Sequence, residues 1–192
     1  MRVAIDASVL AYLFDAEAAP PKDAEGKPVA DCQLRLEHLI SELQQARATL
    51  IIPAPALSEV LVYAGEAAQN WLSTLTGTRC CQIAPFDTMA AVECAALAAE
   101  RVAQGRRSGL TKAKAKFDEQ IFAIAMVQQA DEILSDDADI RWLAGQKLPV
   151  RGIVDLPLPP TSAQMTIDWD NVPPEPVARP ARIINLDEPS DD

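Results

Sequence analysis

The sequence contains one histidine, His38, and only seven glycines in 192 residues. A single imidazole leaves little room for a His-based catalytic triad or a His-rich metal site. The few glycines form no G-x-x-x-x-G-K-[ST], no G-x-G-x-x-G and no G-x-S-x-G. That removes the phosphate-cradling loop, the dinucleotide fingerprint and the nucleophile elbow. Four cysteines, Cys32, Cys80, Cys81 and Cys94, include no C-x-x-C pair. A zinc finger or disulfide scaffold is therefore not expected, and reduced thiols are. No run approaches the ~18 apolar residues of a membrane span. Met1 leads directly into a strand-like run, without the apolar segment and cleavage site of a signal peptide. The expectation is a cytoplasmic chain with no membrane association.

What is present suits one globular domain with some chain to spare: 49% of residues are apolar. The net charge of −11 argues against a general nucleic-acid coat protein. The charge is unevenly spread. Residues 160–192 hold six prolines, seven acids and two arginines, which reads as an acidic, mostly irregular tail. Its apolar islands around Trp169 and Ile183-Ile184 could anchor it, and its charge suits a fold back onto a basic surface. Between Arg101 and Lys116 the bias reverses: Arg101, Arg106, Arg107, Lys112, Lys114 and Lys116 occur with no acid. Such a run is commonly a solvated face. It also suits contact with a phosphate backbone, where Lys and Arg displace counterions.

The periodicity alternates strand and helix. Arg2–Ile5, 49–52, 80–84, 132–135 and 151–154 read as strands. Helices are expected at 9–14, where Ser8 can cap, and at 32–47, 56–63, 70–76, 88–104, 117–130 and 140–144. Asp87 should cap the helix at 88. Residues 15–31, with Pro20, Pro21, Gly26 and Pro28, form a long loop. Trp71 and Trp142 suit the core, His38 a helix surface or core edge, and Glu119 the surface or a supporting contact behind Asp118. Alternating strands and helices imply a parallel sheet covered on both faces, with ligands at the carboxyl ends of its strands.

Acids stand at those ends. Asp6 follows the first strand, and Asp136, Asp137 and Asp139 follow the fourth. Glu59 lies one turn into the helix after the second strand, and Asp118 opens the helix leading to the fourth. Singly, each could be a helix cap. Gathered in one crevice they would repel one another and raise one another's pKa values. A divalent cation relieves this, and an all-oxygen donor set favours Mg²⁺ or Mn²⁺.

Four segments in this order carry a resemblance: Ile5-Asp6-Ala7-Ser8, Pro55-Ala56-Leu57-Ser58-Glu59-Val60, Phe117-Asp118-Glu119-Gln120-Ile121-Phe122-Ala123-Ile124-Ala125, and Ile133-Leu134-Ser135-Asp136-Asp137-Ala138-Asp139-Ile140. Over about residues 1–156 the chain resembles the PIN-domain ribonucleases, and is similar to toxins of the VapC type. The resemblance implies an α/β/α three-layer sandwich with a parallel sheet of four or five strands, spanning 1–159 with an insertion at 15–31. It implies Asp6, Asp118 and Asp137 as metal ligands, with Asp139 as companion and Glu59 binding directly or through water. Ser8 and Ser135 would support them. Asp136 stands where a polar residue is usual and could exchange roles with Asp137. Arg106, Arg107, Lys112, Lys114 and Lys116 are candidates for holding the RNA backbone. The implied activity is Mg²⁺- or Mn²⁺-dependent endonucleolytic cleavage of RNA, with a cognate antitoxin and a second copy of the chain as candidate partners. Two other classes compete: an idle fold that only binds protein, and a phosphoacceptor or phosphatase-like domain using Asp6 as nucleophile. The second would want a catalytic Lys at a strand end and an Asp where Ser8 stands.

Overall fold

A computed structural model of the chain describes residues 1–15, 18–104 and 112–160, with the side chains of residues 104, 112 and 113 left out. Beyond Pro160 the expected acidic tail lies outside the described residues, as do Arg106 and Arg107.

Five strands form one parallel sheet: β1 (Arg2–Ile5), β2 (Thr49–Pro53), β3 (Cys81–Ala84), β4 (Glu132–Leu134) and β5 (Val150–Arg151). The spatial order is β3-β2-β1-β4-β5. The chain first builds outward from β1 through β2 to β3, then returns to the other side of β1 with β4. β1 is thus the point where strand order reverses, and its carboxyl end opens toward the crevice that such folds use for ligands.

The helices are α1 (Ala7–Leu10), α2 (Cys32–Gln45), α3 (Ala54–Ala64), α4 (Ala68–Gly77), α5 (Thr88–Gln104), α6 (Lys112–Val127) and α7 (Ala138–Ala144). Strand side chains alternate between the sheet faces, and the core divides accordingly. Val3, Ile5, Leu50, Ile52 and Leu134 meet Leu36, Leu39 and Leu43 of α2 and Leu75 of α4. Ala4, Ile51 and Ile133 face the other way, onto Leu97 of α5, Ile121, Phe122 and Ile124 of α6, and Ile140 of α7. Two apolar layers on one sheet make the expected three-layer sandwich. Phe14 and Trp71 stack with ring centroids 4.8 Å apart, so Trp71 serves the core. His38 is half-buried, 3.6 Å from Glu42. All four cysteines are free. Among the described residues no helix is long and apolar enough to cross a membrane.

Several local readings change. Ser8 does not cap α1: the chain is already helical at Ala7, and Asp6 occupies the N-cap position. Asp118 does not open its helix. The Lys112-Ala113-Lys114-Ala115-Lys116 run consists of strong helix formers, so α6 begins five residues before Phe117 and Asp118 lies in its interior. Glu119 is not a surface residue. It is 2% exposed and accepts a hydrogen bond from Arg101 Nε of α5. The last strand ends at Arg151 rather than running to Val154. The Asp155 carboxylate accepts from Gly152 N at 2.8 Å and the Asp136 carboxylate from Ile153 N at 2.9 Å. These bonds draw the backbone into a 3₁₀ turn over Ile153–Asp155. Asp87 caps α5 as expected, accepting from Ala90 N at 2.9 Å. Within the loop 15–31, Lys22 and Pro28 form an antiparallel bridge around a turn held by Asp23.

Candidate active site

The register of the sheet assembles the first part of the site. β1 and β4 pair through Ile5 and Leu134, so the next residues, Asp6 and Ser135, emerge side by side. Both are buried. The Ser135 hydroxyl donates to Asp6 Oδ2 at 2.9 Å, and the Ser8 hydroxyl donates to the same oxygen at 2.8 Å. Ser135 Oγ also accepts from Asp137 N at 3.0 Å, and Ser8 Oγ from Asp136 N at 3.1 Å. Two hydroxyls thus tie the acid after β1 to the backbone after β4. This fixes Asp6 as a single rotamer beside the incoming turn.

The turn separates its two adjacent acids. Asp137 caps α7, accepting from Asp139 N at 2.6 Å. Its charge raises the carboxyls of Asp6, Glu59 and Asp118. Asp136 Oδ1 instead accepts from Ile153 N at 2.9 Å, and Tyr12 and Asp6 also act on its carboxyl. A Cβ added to Gly152 would lie 2.6 Å from Asp136 Oδ1. The glycine is what lets Asp136 close this corner. Burial raises the Asp136 carboxyl, and the Ile153 amide opposes that. Of the two acids left interchangeable by the sequence, Asp137 interacts electrostatically with Asp6, Glu59 and Asp118, and Asp136 with Asp6.

Glu59 comes from α3, which packs on α1 just behind Asp6. It is half-buried. Burial raises its carboxyl, Asp6 and Asp137 add to this, and Lys114 opposes it. Asp118 comes from α6 and is 9% exposed. Burial, then the Asp137 charge, pushes its carboxyl up to about 7, with Lys114 opposing and Asp6 adding. Its Oδ2 is buried with no hydrogen-bond partner among the described residues. Asp6 is raised chiefly by burial, against the pull of its two serine hydroxyls. An unpaired buried carboxylate oxygen is costly unless something of positive charge meets it.

The lysine run divides. Lys114 does not stand clear of the protein as a backbone-binding residue. Its Nζ lies 2.9 Å from Asp137 Oδ2 and also pairs with Asp139 Oδ2. Lys116 is exposed on α6. For Lys112 only the backbone is described. Arg101 is engaged by Glu119. The Lys114 bridge was not anticipated, although the signal was available: Lys114 and Asp118 are spaced i, i+4 and must share a helix face.

For a hard divalent cation the donor chemistry fits. The donors are carboxylates from four parts of the fold, Asp118 among them with an orphaned buried oxygen, and they oppose one another's ionisation. As the side chains lie, no three His, Cys, Asp or Glu groups among the described residues are drawn tightly enough to hold an ion. The bridging ammonium of Lys114 stands beside Asp137 and Asp139 instead. Next to Glu59, a cleft of about 380 Å³ is lined by Ala7, Ser8, Ala11, Val60, Val62 and Tyr63. A larger cavity of about 530 Å³, bordered by Tyr12, Val29 and Cys32, lies beside the loop 15–31 and does not include the clustered acids.

No family model matches the chain, and no curated protein matches it. Solved structures do. VapBC2 from Rickettsia felis, bound to a DNA fragment from its promoter, superposes with a TM-score of 0.55 at 14% identity, covering 79% of this chain and 98% of that one. FitAB bound to an IR36 DNA fragment gives 0.53 at 14% identity, covering 81% and 97%. FitAcB from Neisseria gonorrhoeae gives 0.51 at 16% identity, covering 80% and 99%. At such identities the likeness is one of fold. Sheet order, flanking helices and these superpositions together identify the chain as having the PIN-like α/β/α fold of VapC-type proteins.

Proposed function

We propose that the chain is a metal-dependent endoribonuclease, acting in the cytoplasm as the toxin of a toxin–antitoxin pair. The observation that carries this reading is the convergence of Asp6, Glu59, Asp118 and Asp137 at the switch point of a parallel sheet, with Asp118 Oδ2 buried and unpartnered. Asp6, Asp118 and Asp137 would hold Mg²⁺ or Mn²⁺, with Glu59 and Asp139 completing the donor set. Such an ion supplies Lewis acidity toward a phosphodiester and lowers the pKa of water.

The remaining work belongs to the chain. Ser8 and Ser135 fix the Asp6 carboxylate. The Asp139 amide fixes one oxygen of Asp137 and leaves the other toward the site. Burial and the Asp137 charge raise the Asp118 carboxyl in the metal-free site, and a bound divalent cation would favour its ionised, ligating form. Lys116, Lys112, Arg106 and Arg107 are the residues we assign to the RNA backbone, and they would position it without reading its sequence. The fold neighbours VapBC2 and FitAB, whose names join two proteins each, support a cognate antitoxin as partner. A second copy of the chain is a further candidate partner.

The test is cleavage of end-labelled total RNA by wild type and Asp6→Asn, with Mn²⁺ or with chelator. Cleavage by wild type with Mn²⁺, abolished by chelator and by the substitution, is expected. Cleavage that survives chelation, or no cleavage by any form, would sink the reading.

A further inference from the structure

We propose that Lys114 is a built-in counter-ion of this site, occupying Asp137 and Asp139 when the site is empty and yielding them to a divalent cation. The inference rests on the reading of the acids as a metal centre.

The geometry carries it. Lys114 Nζ bridges Asp137 Oδ2, at 2.9 Å, and Asp139 Oδ2. Asp137 Oδ1 is already taken by the Asp139 amide, so Oδ2 is the oxygen that faces the cluster. The ammonium therefore sits on the atom a cation would need. Its charge also offsets the rise in Glu59 and Asp118, so one lysine acts on four acids from three helices and a turn. Burial works against charging Lys114, but Asp139 and Asp137 outweigh this and hold its pKa above the ordinary lysine value. It remains protonated at every pH of interest.

The arrangement can also be undone. The Lys114 side chain is 46% exposed, at the lip of the site. Its four-carbon stem lets the ammonium swing out without disturbing α6. A divalent cation carries twice the charge and interacts about twice as strongly with the same carboxylates at equal distance. It should therefore displace the ammonium, and at a cost in affinity, because the lysine must first be removed. Lys116 is a natural control. It lies two residues on, about 200° around the helix, where it cannot reach the same carboxylates.

The experiment is direct Mn²⁺ binding to the full chain by titration calorimetry and by electron paramagnetic resonance of the free ion, with melts in parallel. Lys114→Gln should bind Mn²⁺ about tenfold tighter than wild type, and Lys116→Gln within about twofold of it. Lys114→Gln should also melt lower than wild type in chelator, because four acids lose their counter-charge, yet gain more on addition of Mn²⁺. A lysine with a merely structural role would lower both melts equally and leave the dissociation constant alone. Lys114→Arg keeps the charge and should show no tightening, which keeps the test decisive should the Gln variant fail to fold. Wild type and Lys114→Gln binding Mn²⁺ with equal affinity would overturn the counter-ion role alone. Absence of Mn²⁺ binding by every form would overturn the metal centre, and the counter-ion role with it.

Discussion

Replacing Asp118 by Asn should stabilise the metal-free protein, and the gain should depend on pH in a defined direction. An Asp carboxyl titrates near 3.8 in the unfolded chain, whereas in the fold Asp118 is pushed up to about 7 by burial and by Asp137. Between these values the folded state holds a proton that the unfolded state has lost. Stability therefore falls as pH rises from about 4 to about 7, and the full cost of the ionised group is present above that. The two values set a ceiling of about 4 kcal/mol. Part of the rise is shared with Asp137, whose own ionisation can adjust, and Lys114 already relieves some of it. We expect about 1–2 kcal/mol at pH 8, or about 3–6 °C for a domain of this size. The assay is a pair of melts in chelator, wild type against Asp118→Asn, at pH 4 and pH 8. Near-equality at pH 4 and a higher melting temperature for the variant at pH 8 are expected. Millimolar Mn²⁺ should reverse the order, because metal stabilises only the form that keeps its ligand. A variant no more stable than wild type at pH 8, or a gain of equal size at both pH values, would refute the picture of a strained carboxyl cluster.

Three further outcomes follow from the same geometry. Asp6→Asn should lower RNA cleavage by about 10² or more at saturating Mn²⁺ while leaving the circular dichroism spectrum unchanged, since it removes an anionic ligand at constant shape; activity within twofold of wild type would exclude Asp6 from the site. Ser135→Ala should cost about 1–3 kcal/mol in a urea melt, because it leaves the part-buried Asp137 amide and the buried Asp6 contact unmade; a neutral effect would show that water replaces the hydroxyl. Gly152→Ala should destabilise the fold by about 1–3 kcal/mol and lower cleavage, because the new methyl would stand 2.6 Å from Asp136 Oδ1 and unseat the turn that carries Asp137; unchanged stability would mean that Asp136 moves freely.

Much of the fold was legible because the signals are local. The β-branched run Val3-Ala4-Ile5, ended by Asp6, specifies a buried parallel strand. The alternation of such runs with amphipathic helices specifies a sheet covered on both faces. Ends of elements were less legible. The helix at Asp118 starts five residues early because Lys and Ala favour helix without any apolar periodicity to announce it. The last strand stops at Arg151 because carboxylates of Asp136 and Asp155 take the next amides, a contest that local propensity does not register.

The chemistry divides along the same line. Acid residues after strands one and four, and on two helices, can be read from the chain alone, because parallel sheets place strand ends together. Their inequality cannot. Asp136 and Asp137 are neighbours of identical type. Only the packing of Gly152 and Ile153 against one, and of Ser135 and Lys114 against the other, assigns one to a backbone corner and one to the acid cluster. In the same way the sequence shows Lys114 as one of six basic residues. Its distinct position arises because α6 delivers it one turn before Asp118, opposite the turn after β4, where a charge meets a charge across 23 residues of chain. Such long-range juxtapositions depend on how layers dock, and that is decided by the tertiary structure.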